Sequence, residues 1–384
     1  MCDFVWFLHI FIFFLFILIY LSLILRIYAI ETKADSAIIL DVNSNTILFE
    51  KNADERQGPA SMSKLMLIYI VFERLHNKTL TIEQEFLVSK KAWKFGGSKM
   101  FVNIGEMVSV ENLLKGIIVQ SGNDACIVLA EGLSGTEENM VDEMNEKAVE
   151  IGLTNSNFQN VTGWPNNDHY MSLKDIAYLS KLIITNFPEY YYLFAINEFT
   201  YNNIKQPNRN KLISLDGFDG LKTGRTSQSG YGIVASAKRE NRRIVSVVNG
   251  LNSEKERINE TKKLVNWSFR EFVNYDLYKS GDSIHFAKVW LGKESFVPLI
   301  SNEDLSVTIK KKNSDKFKIK LVYETPIVSP IKKGDKLAEL QLIEGDNVEI
   351  KNIYSGKDVD KVSRFYRSFS IINYLLFGVS NKDK

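Results

Sequence analysis

The chain has 384 residues, 45% of them hydrophobic and 24% charged, which allows two domains with their own cores and excludes a disordered chain. A net charge of only +2 excludes the basic footprint of a nucleic-acid-binding protein. The two cysteines, Cys2 and Cys126, and the histidines His9, His76, His169 and His285 stand in no ligand spacing, so no disulfide framework, metal site or cofactor is expected.

Residues 4–25 are almost unbroken apolar sequence, interrupted by His9 and Ser22. The run lacks the polar positions that a core helix shows at a 3.6-residue period. It exceeds the roughly 7–15 apolar residues of a secretory signal and reaches the ~20 needed to span a bilayer. Residues 1–29 therefore read as a signal peptide, cleaved after Ala29, or as an uncleaved signal anchor. Asp3 precedes the run and Arg26 follows it. Export calls for a positive N-terminal flank, so the flanking charges leave the orientation open.

Residues 36–42 and 46–50 read as two strands about an Asn43-Ser44-Asn45 turn. After Pro59 a helical pattern runs over 61–75. Residues 108–129 are helical with a break at Ser121-Gly122, and 137–151 and 172–186 predict further helices. The apolar, β-branched runs 231–238 and 243–249 predict a hairpin, and 254–272 a helix. Beyond about residue 280, short runs at 306–309, 318–322 and 348–353 alternate with turn signals such as Lys333-Gly334-Asp335, which predicts a small all-β domain. The expected layout is an α+β domain over 32–278, a β domain over 279–355 and a tail over 358–379. In that tail Val362, Phe365, Phe369, Ile372 and Leu376 recur at three- and four-residue spacing beside Lys361, Arg364 and Arg367. Such an amphipathic helix lies in a membrane interface or packs on the protein's own surface.

The candidate chemistry begins at Ser61-Met62-Ser63-Lys64. Residues three apart on a helix share a face, so Lys64 is placed beside the Ser61 hydroxyl. A serine needs a base to become a nucleophile, and a lysine serves when burial or nearby cations lower its pKa. Taken alone the pattern is weak, because Ser329-Pro330-Ile331-Lys332 matches it too. Two further motifs supply the context: Ser121-Gly122-Asn123 at the helix break, and Lys222-Thr223-Gly224 shortly before the 231–238 strand run. The Ser121 hydroxyl offers a proton relay, and the Asn123 amide can hold both Lys64 and a substrate carbonyl. Lys222 and Thr223 offer a cation and a hydroxyl to a carboxylate, while Gly224 carries no side chain to block substrate approach.

In this order the three motifs resemble those of the low-molecular-mass penicillin-binding proteins, the serine-type D-alanyl-D-alanine carboxypeptidases of the peptidase S11 family. The segments Pro59-Ala60-Ser61-Met62-Ser63-Lys64-Leu65-Met66, Gln120-Ser121-Gly122-Asn123-Asp124-Ala125 and Asp219-Gly220-Leu221-Lys222-Thr223-Gly224-Arg225-Thr226 look like the family's three motif segments. The resemblance implies a penicillin-recognising domain, helices packed on an antiparallel sheet, followed by a small all-β domain. It implies Ser61 as nucleophile, Lys64 as base and Ser121 as relay, with Asn123, Lys222, Thr223, Gly224 and Arg225 binding substrate. The oxyanion hole would be the backbone N–H groups of Ser61 and Arg225. The family commonly carries His or an aromatic residue where Arg225 stands, so the Arg225 side chain is left as a second cation for a substrate carboxylate. Arg209 and Arg257 resemble arginine-bearing stretches of the family and read either as structural ion pairs or as charges that tune the site. His169 falls in a loop that resembles one near the site; no acid stands in triad order with it.

The implied partners are peptidoglycan stem peptides as substrate, β-lactam antibiotics as covalent inhibitors, and the membrane through the C-terminal helix. The implied location is the periplasmic face of the inner membrane. No E-x-x-L-N segment lies between Asn123 and Lys222, where a class A β-lactamase keeps its deacylating carboxylate. A D,D-endopeptidase of cross-linked peptidoglycan, using the same residues, stays as the alternative. A non-catalytic peptidoglycan-binding protein would be expected to have lost a motif member.

Overall fold

The computed structural model describes residues 30–363 apart from Asp216, together with Ser368 and Ile372. The described chain forms two compact units. The first takes the chain up to Leu40, Ile47–Arg239 and Ile244–Ser268; the second takes Asp41–Thr46, Glu240–Arg243 and the chain from Phe269.

The main sheet of the first unit has five strands, β1 (Ser36–Asp41), β2 (Ile47–Lys51), β3 (Phe218–Thr226), β4 (Gly230–Arg239) and β5 (Arg242–Leu251), in the order β2-β1-β5-β4-β3. β1 pairs antiparallel with β2, and β3 with β4, where Gly224 faces Gly232 and Lys222 faces Val234. Residues 232–237 and 244–249 are buried without alternation. Both faces of the central strands are therefore covered, as in a sheet with helices on each side.

The helices are α1 (Lys64–His76), α2 (Lys90–Lys94), α3 (Val110–Gln120), α4 (Asn123–Ser134), α5 (Glu137–Glu150), α6 (Leu173–Asn186) and α7 (Glu254–Glu271). α1 is buried from Lys64 through Phe72, which explains why its sequence is apolar on every side. Ser89, Ser109, Thr136 and Ser172 each accept a hydrogen bond from the backbone N–H three residues on. Such caps satisfy orphan donors and set where α2, α3, α5 and α6 begin.

Two elements differ from expectation. The helix expected over 61–75 opens with a separate 3-10 turn, Ala60–Ser63. The third motif lies inside β3 rather than ahead of a strand. Its two glycines and charged residues have little strand propensity, and sheet pairing overrides it.

The second unit is β-rich. β6 (Phe272–Tyr278) pairs with β9 (Leu305–Lys310). The other strands are β7 (Ser283–Trp290), β8 (Phe296–Ile300), β10 (Phe317–Tyr323), β11 (Ile327–Val328), β12 (Lys336–Glu344) and β13 (Asn347–Ser355), forming a six-stranded sheet in the order β10-β12-β13-β8-β7-β11. Ala287, Val297, Leu299, Leu340 and Ile353 lie in its core. Pairing with β9 carries β6 into this unit, although the sequence placed it in the first domain.

The tail needs a correction. Val359 exchanges backbone hydrogen bonds with Ile331, and the Val362 N–H donates to the Leu291 carbonyl. Residues 358–363 are thus extended, because strand pairing satisfies their backbone and buries Val359 to 1% exposure. Phe365, Phe369 and Leu376 of the expected amphipathic helix, like the whole leader 1–29, lie outside the described residues. Among the described residues no helix is long and apolar enough to cross a membrane.

Candidate active site

Ser61 sits in the 3-10 turn that leads into α1. The turn is tight: Ala60 has φ +49°, a left-handed conformation that costs an L-residue about 1–2 kcal/mol. Two glycines of distant segments close on it. At Gly163, φ +76°, a Cβ would collide with the Ala60 carbonyl, and at Gly224 a Cβ would stand 3.0 Å from the Pro59 carbonyl and 3.2 Å from the Ala60 Cβ. The expected role of Gly224 is therefore amended. Its missing side chain lets β3 approach the nucleophile's own turn.

Lys64, the first residue of α1, is fully buried. Its Nζ stands 2.8 Å from Ser61 Oγ, 2.8 Å from Asn123 Oδ1 and 2.5 Å from the Thr162 carbonyl. Asn123 is oriented by its Nδ2, which donates to the Gly96 carbonyl at 2.8 Å, so Oδ1 must face the lysine. Asn123 Oδ1 and the Thr162 carbonyl can only accept. They take two of the lysine hydrogens, and the third position faces Ser61. When Lys64 is neutral, its lone pair falls at that position, directed at the serine hydroxyl. Burial pulls the Lys64 pKa from 10.5 down to about 8, with Arg209 adding to the depression and Asp124 opposing it. A base that is partly neutral near physiological pH is the result.

The second motif is presented by a helix break. Ser121 closes α3 in the left-handed conformation, φ +63°, is 2% exposed, and its Oγ has no hydrogen-bond partner among the described residues. The next residue after the motif, Asp124, holds the loop in front of it: its carboxylate accepts from the N–H groups of Met100 at 2.8 Å and Phe101 at 2.9 Å.

The third motif lies on β3, the edge strand of the sheet. Lys222 is 1% exposed, yet its ammonium makes a single hydrogen bond among the described residues, 3.1 Å to the carbonyl of Thr223. Thr223 and Gly224 are buried, and Arg225 is exposed. The Arg225 guanidinium lies 4.6 Å over the Tyr231 ring, and that of Arg257 lies 5.8 Å from the same ring. Arg257 reaches Glu254 at 3.6 Å, and its Nε has no partner among the described residues. Arg209 donates to Gln120 Oε1 at 3.3 Å. Burial holds the Lys222 pKa well below its ordinary value, and Lys64, Arg209 and Arg257 add to that. Arg257 thus keeps the ion pair of the structural reading with Glu254, while the charges of Arg209 and Arg257 also bear on Lys222. The site holds an excess of buried positive charge that an anion would relieve. Burial keeps the neighbouring Cys126 thiol protonated, its pKa pushed up to about 12.

His169 is not arranged as a base for Ser61. Its Nδ1 accepts from the Gln159 N–H at 3.1 Å, and burial, with the Lys64 charge behind it, pulls its pKa down to about 4. The second S-x-x-K match is also inert. Ile331, inside it, is paired as extended chain with Val359, so Ser329 and Lys332 share no helical face. Sequence reasoning missed Thr162 and Gly96, which act through backbone carbonyls, and Gly163, whose requirement is set by a distant segment. Of those it missed, Asp124 alone carried a local signal, as an acid in the first turn of α4.

The family model for D-alanyl-D-alanine carboxypeptidase matches residues 26–253, and that for the penicillin-binding protein 5 C-terminal domain matches residues 272–361. The chain is similar to the D-alanyl-D-alanine carboxypeptidase DacC of Escherichia coli, 36% identical over 352 residues, covering 89% of this chain and 88% of that protein. Its fold is similar to the crystal structure of penicillin binding protein 5 from Haemophilus influenzae, with a TM-score of 0.84 at 34% identity, covering 87% of this chain and 99% of that one. A further likeness is to penicillin-binding protein D2 from Listeria monocytogenes in its ampicillin-bound form, with a TM-score of 0.57 at 27% identity over 63% of this chain and 99% of that one.

Proposed function

The chain belongs to the D-alanyl-D-alanine carboxypeptidase family, and from that premise we propose how its own residues perform the reaction. The activity is that of a serine-type D-alanyl-D-alanine carboxypeptidase acting on peptidoglycan. The observation that carries the assignment of roles is Lys64, with two hydrogens committed to pure acceptors and its third position on Ser61 Oγ at 2.8 Å.

Lys64 accepts the Ser61 proton as Oγ attacks the carbonyl between the two terminal D-alanines. The developing oxyanion is met by the backbone N–H groups of Ser61 and Arg225. The proton passes through the unpartnered Ser121 hydroxyl to the leaving amine, the C–N bond breaks, and D-alanine departs. Its carboxylate is held by Lys222 and Thr223, which supplies the anion the buried cations lack. Asn123 fixes Lys64 and takes the substrate carbonyl. Water activated by Lys64 then hydrolyses the acyl-enzyme and restores Ser61. A β-lactam enters the same first step and stays attached to Ser61. The apolar run 4–25 and an extracytoplasmic substrate support export, with the catalytic domain on the periplasmic face of the inner membrane and the tail beyond residue 363 as its membrane contact.

The test is covalent labelling with a fluorescent penicillin. The protein should label at Ser61, release free D-alanine from a pentapeptide ending in D-Ala-D-Ala, and lose both activities in Ser61→Ala. Absence of labelling near pH 8 would overturn the assignment, and faster cleavage of cross-linked dimers would make endopeptidase the better description.

A further inference from the structure

The first unit contains a cavity of about 370 Å³ that the catalytic residues do not line. It lies between the segment leading into the nucleophile turn, Gln57-Gly58, and the turn that follows β3, Gln228-Ser229, with the 166–170 loop and Asn249 completing it. Both framing segments are fixed. Gln57 exchanges backbone hydrogen bonds with Met171, at 3.2 and 3.0 Å. Ser229 donates its N–H to Thr226 Oγ1 at 2.8 Å. A Cβ on Gly58 would stand 2.9 Å from Ser229 Oγ, so the two segments nearly touch.

Two of the lining side chains carry a buried polar atom with no partner among the described residues, Gln57 Nε2 and His169 Nε2. Both must be donors. Gln57 accepts at Oε1 from Asn249 Nδ2 at 2.8 Å, which leaves Nε2 as the amide nitrogen. His169 accepts at Nδ1 from the Gln159 N–H, so its proton is on Nε2, and the residue is only 4% exposed. Two unmet N–H groups are a standing cost to the fold unless an acceptor arrives. Elsewhere the wall is polar and mixed in sign, with Asp35, Arg56, Asn166 and Asn167. It suits a peptide, rich in carbonyl oxygens and carrying charges of both signs, better than a single ion.

The position says which ligand. β3 is an edge strand, and an extended peptide adds to such an edge by main-chain hydrogen bonds. With the leaving carboxylate at Lys222 and Thr223, the acyl side of the peptide runs past Arg225 towards Thr226 and the turn at Ser229. We propose that this cavity is the subsite for the upstream arm of the stem peptide, whose backbone carbonyls accept from Gln57 and His169. The inference rests on the Ser61 acyl-enzyme reading. It makes substrate length, and not only the D-Ala-D-Ala end, a determinant of specificity.

The experiment compares a pentapeptide with N-acetyl-D-Ala-D-Ala, which stops short of the cavity, in the full-length protein and in Gln57→Leu, His169→Phe and His169→Gln. Removing one donor should raise KM for the pentapeptide about fivefold, the worth of roughly one hydrogen bond. Turnover of the dipeptide and labelling by penicillin should stay within about twofold. His169→Gln, which returns an N–H donor, should recover most of the pentapeptide KM. Equal losses on both substrates would overturn the subsite and leave the two residues a purely structural role. Unchanged KM on both would overturn it as well. Failure of the unsubstituted protein to label with penicillin would instead defeat the acyl-enzyme reading on which the subsite depends.

Discussion

Lys64 and Lys222 are both lysines buried in one unit, and their surroundings make them different reagents. Lys64 meets two pure acceptors and ends against a serine hydroxyl. Lys222 meets one carbonyl and otherwise has unmet hydrogens among the described residues. The first arrangement selects a base, because full satisfaction fixes where the lone pair points once a proton leaves. The second selects an anion receptor, because the unmet hydrogens and the neighbouring cations are relieved only by a negative ligand. Burial depresses both pKa values, so burial alone does not tell the roles apart; the partner set does.

The contrast can be broken most sharply at Lys64. Lys64→Met should slow acylation by penicillin about 10³-fold, the usual worth of a positioned base. Lys64→Arg should do no better, since a guanidinium stays protonated up to pH ~12. If either variant acylated at a near-normal rate, the base would have to be sought elsewhere. Lys222→Met is expected to act on binding: KM for a peptide ending in a free carboxylate should rise roughly 10- to 100-fold, the range of one charge-assisted hydrogen bond. The same substrate with its terminal carboxyl amidated should barely notice the substitution. Equal effects on both substrates would erase the distinction between the two lysines.

The smallest effect concerns pH. Lys64 must be neutral to act, and its pKa is lowered to about 8. Acylation should therefore rise about tenfold per pH unit below that value and level off above it. Arg209 contributes to the depression, so Arg209→Gln should move the rising limb to higher pH. A limb that stayed in place, or moved down, would show that Lys64 does not set it.

Ser61, Lys64, Ser121, Asn123 and Lys222-Thr223-Gly224 were all legible, because each is a side-chain type recurring in a fixed local pattern. The hairpin of β4 and β5 and most helices were legible from the periodicity of their apolar residues. Thr162 and Gly96 were not, since a backbone carbonyl leaves no trace in residue identity. β3 was missed because Gly220, Gly224 and three charged residues hide a strand that exists through its pairing with β4. Residues 358–363, placed at the start of the expected tail helix, are instead extended, with Val359 paired to Ile331; of the helical apolar spacing only Val362 falls there.

By itself the sequence determined the order of the motifs, the two-part layout and the residue types that can do the chemistry, because these follow from local propensity and pattern. Only the tertiary structure decided that Lys64, which local spacing already sets beside Ser61, spends its other hydrogens on Asn123 and Thr162, and that Lys222 is left wanting an anion. It also decided that Gly163 and Gly224 close on the nucleophile turn. These are meetings between segments some 60 to 160 residues apart, and no local pattern records which distant backbone will arrive.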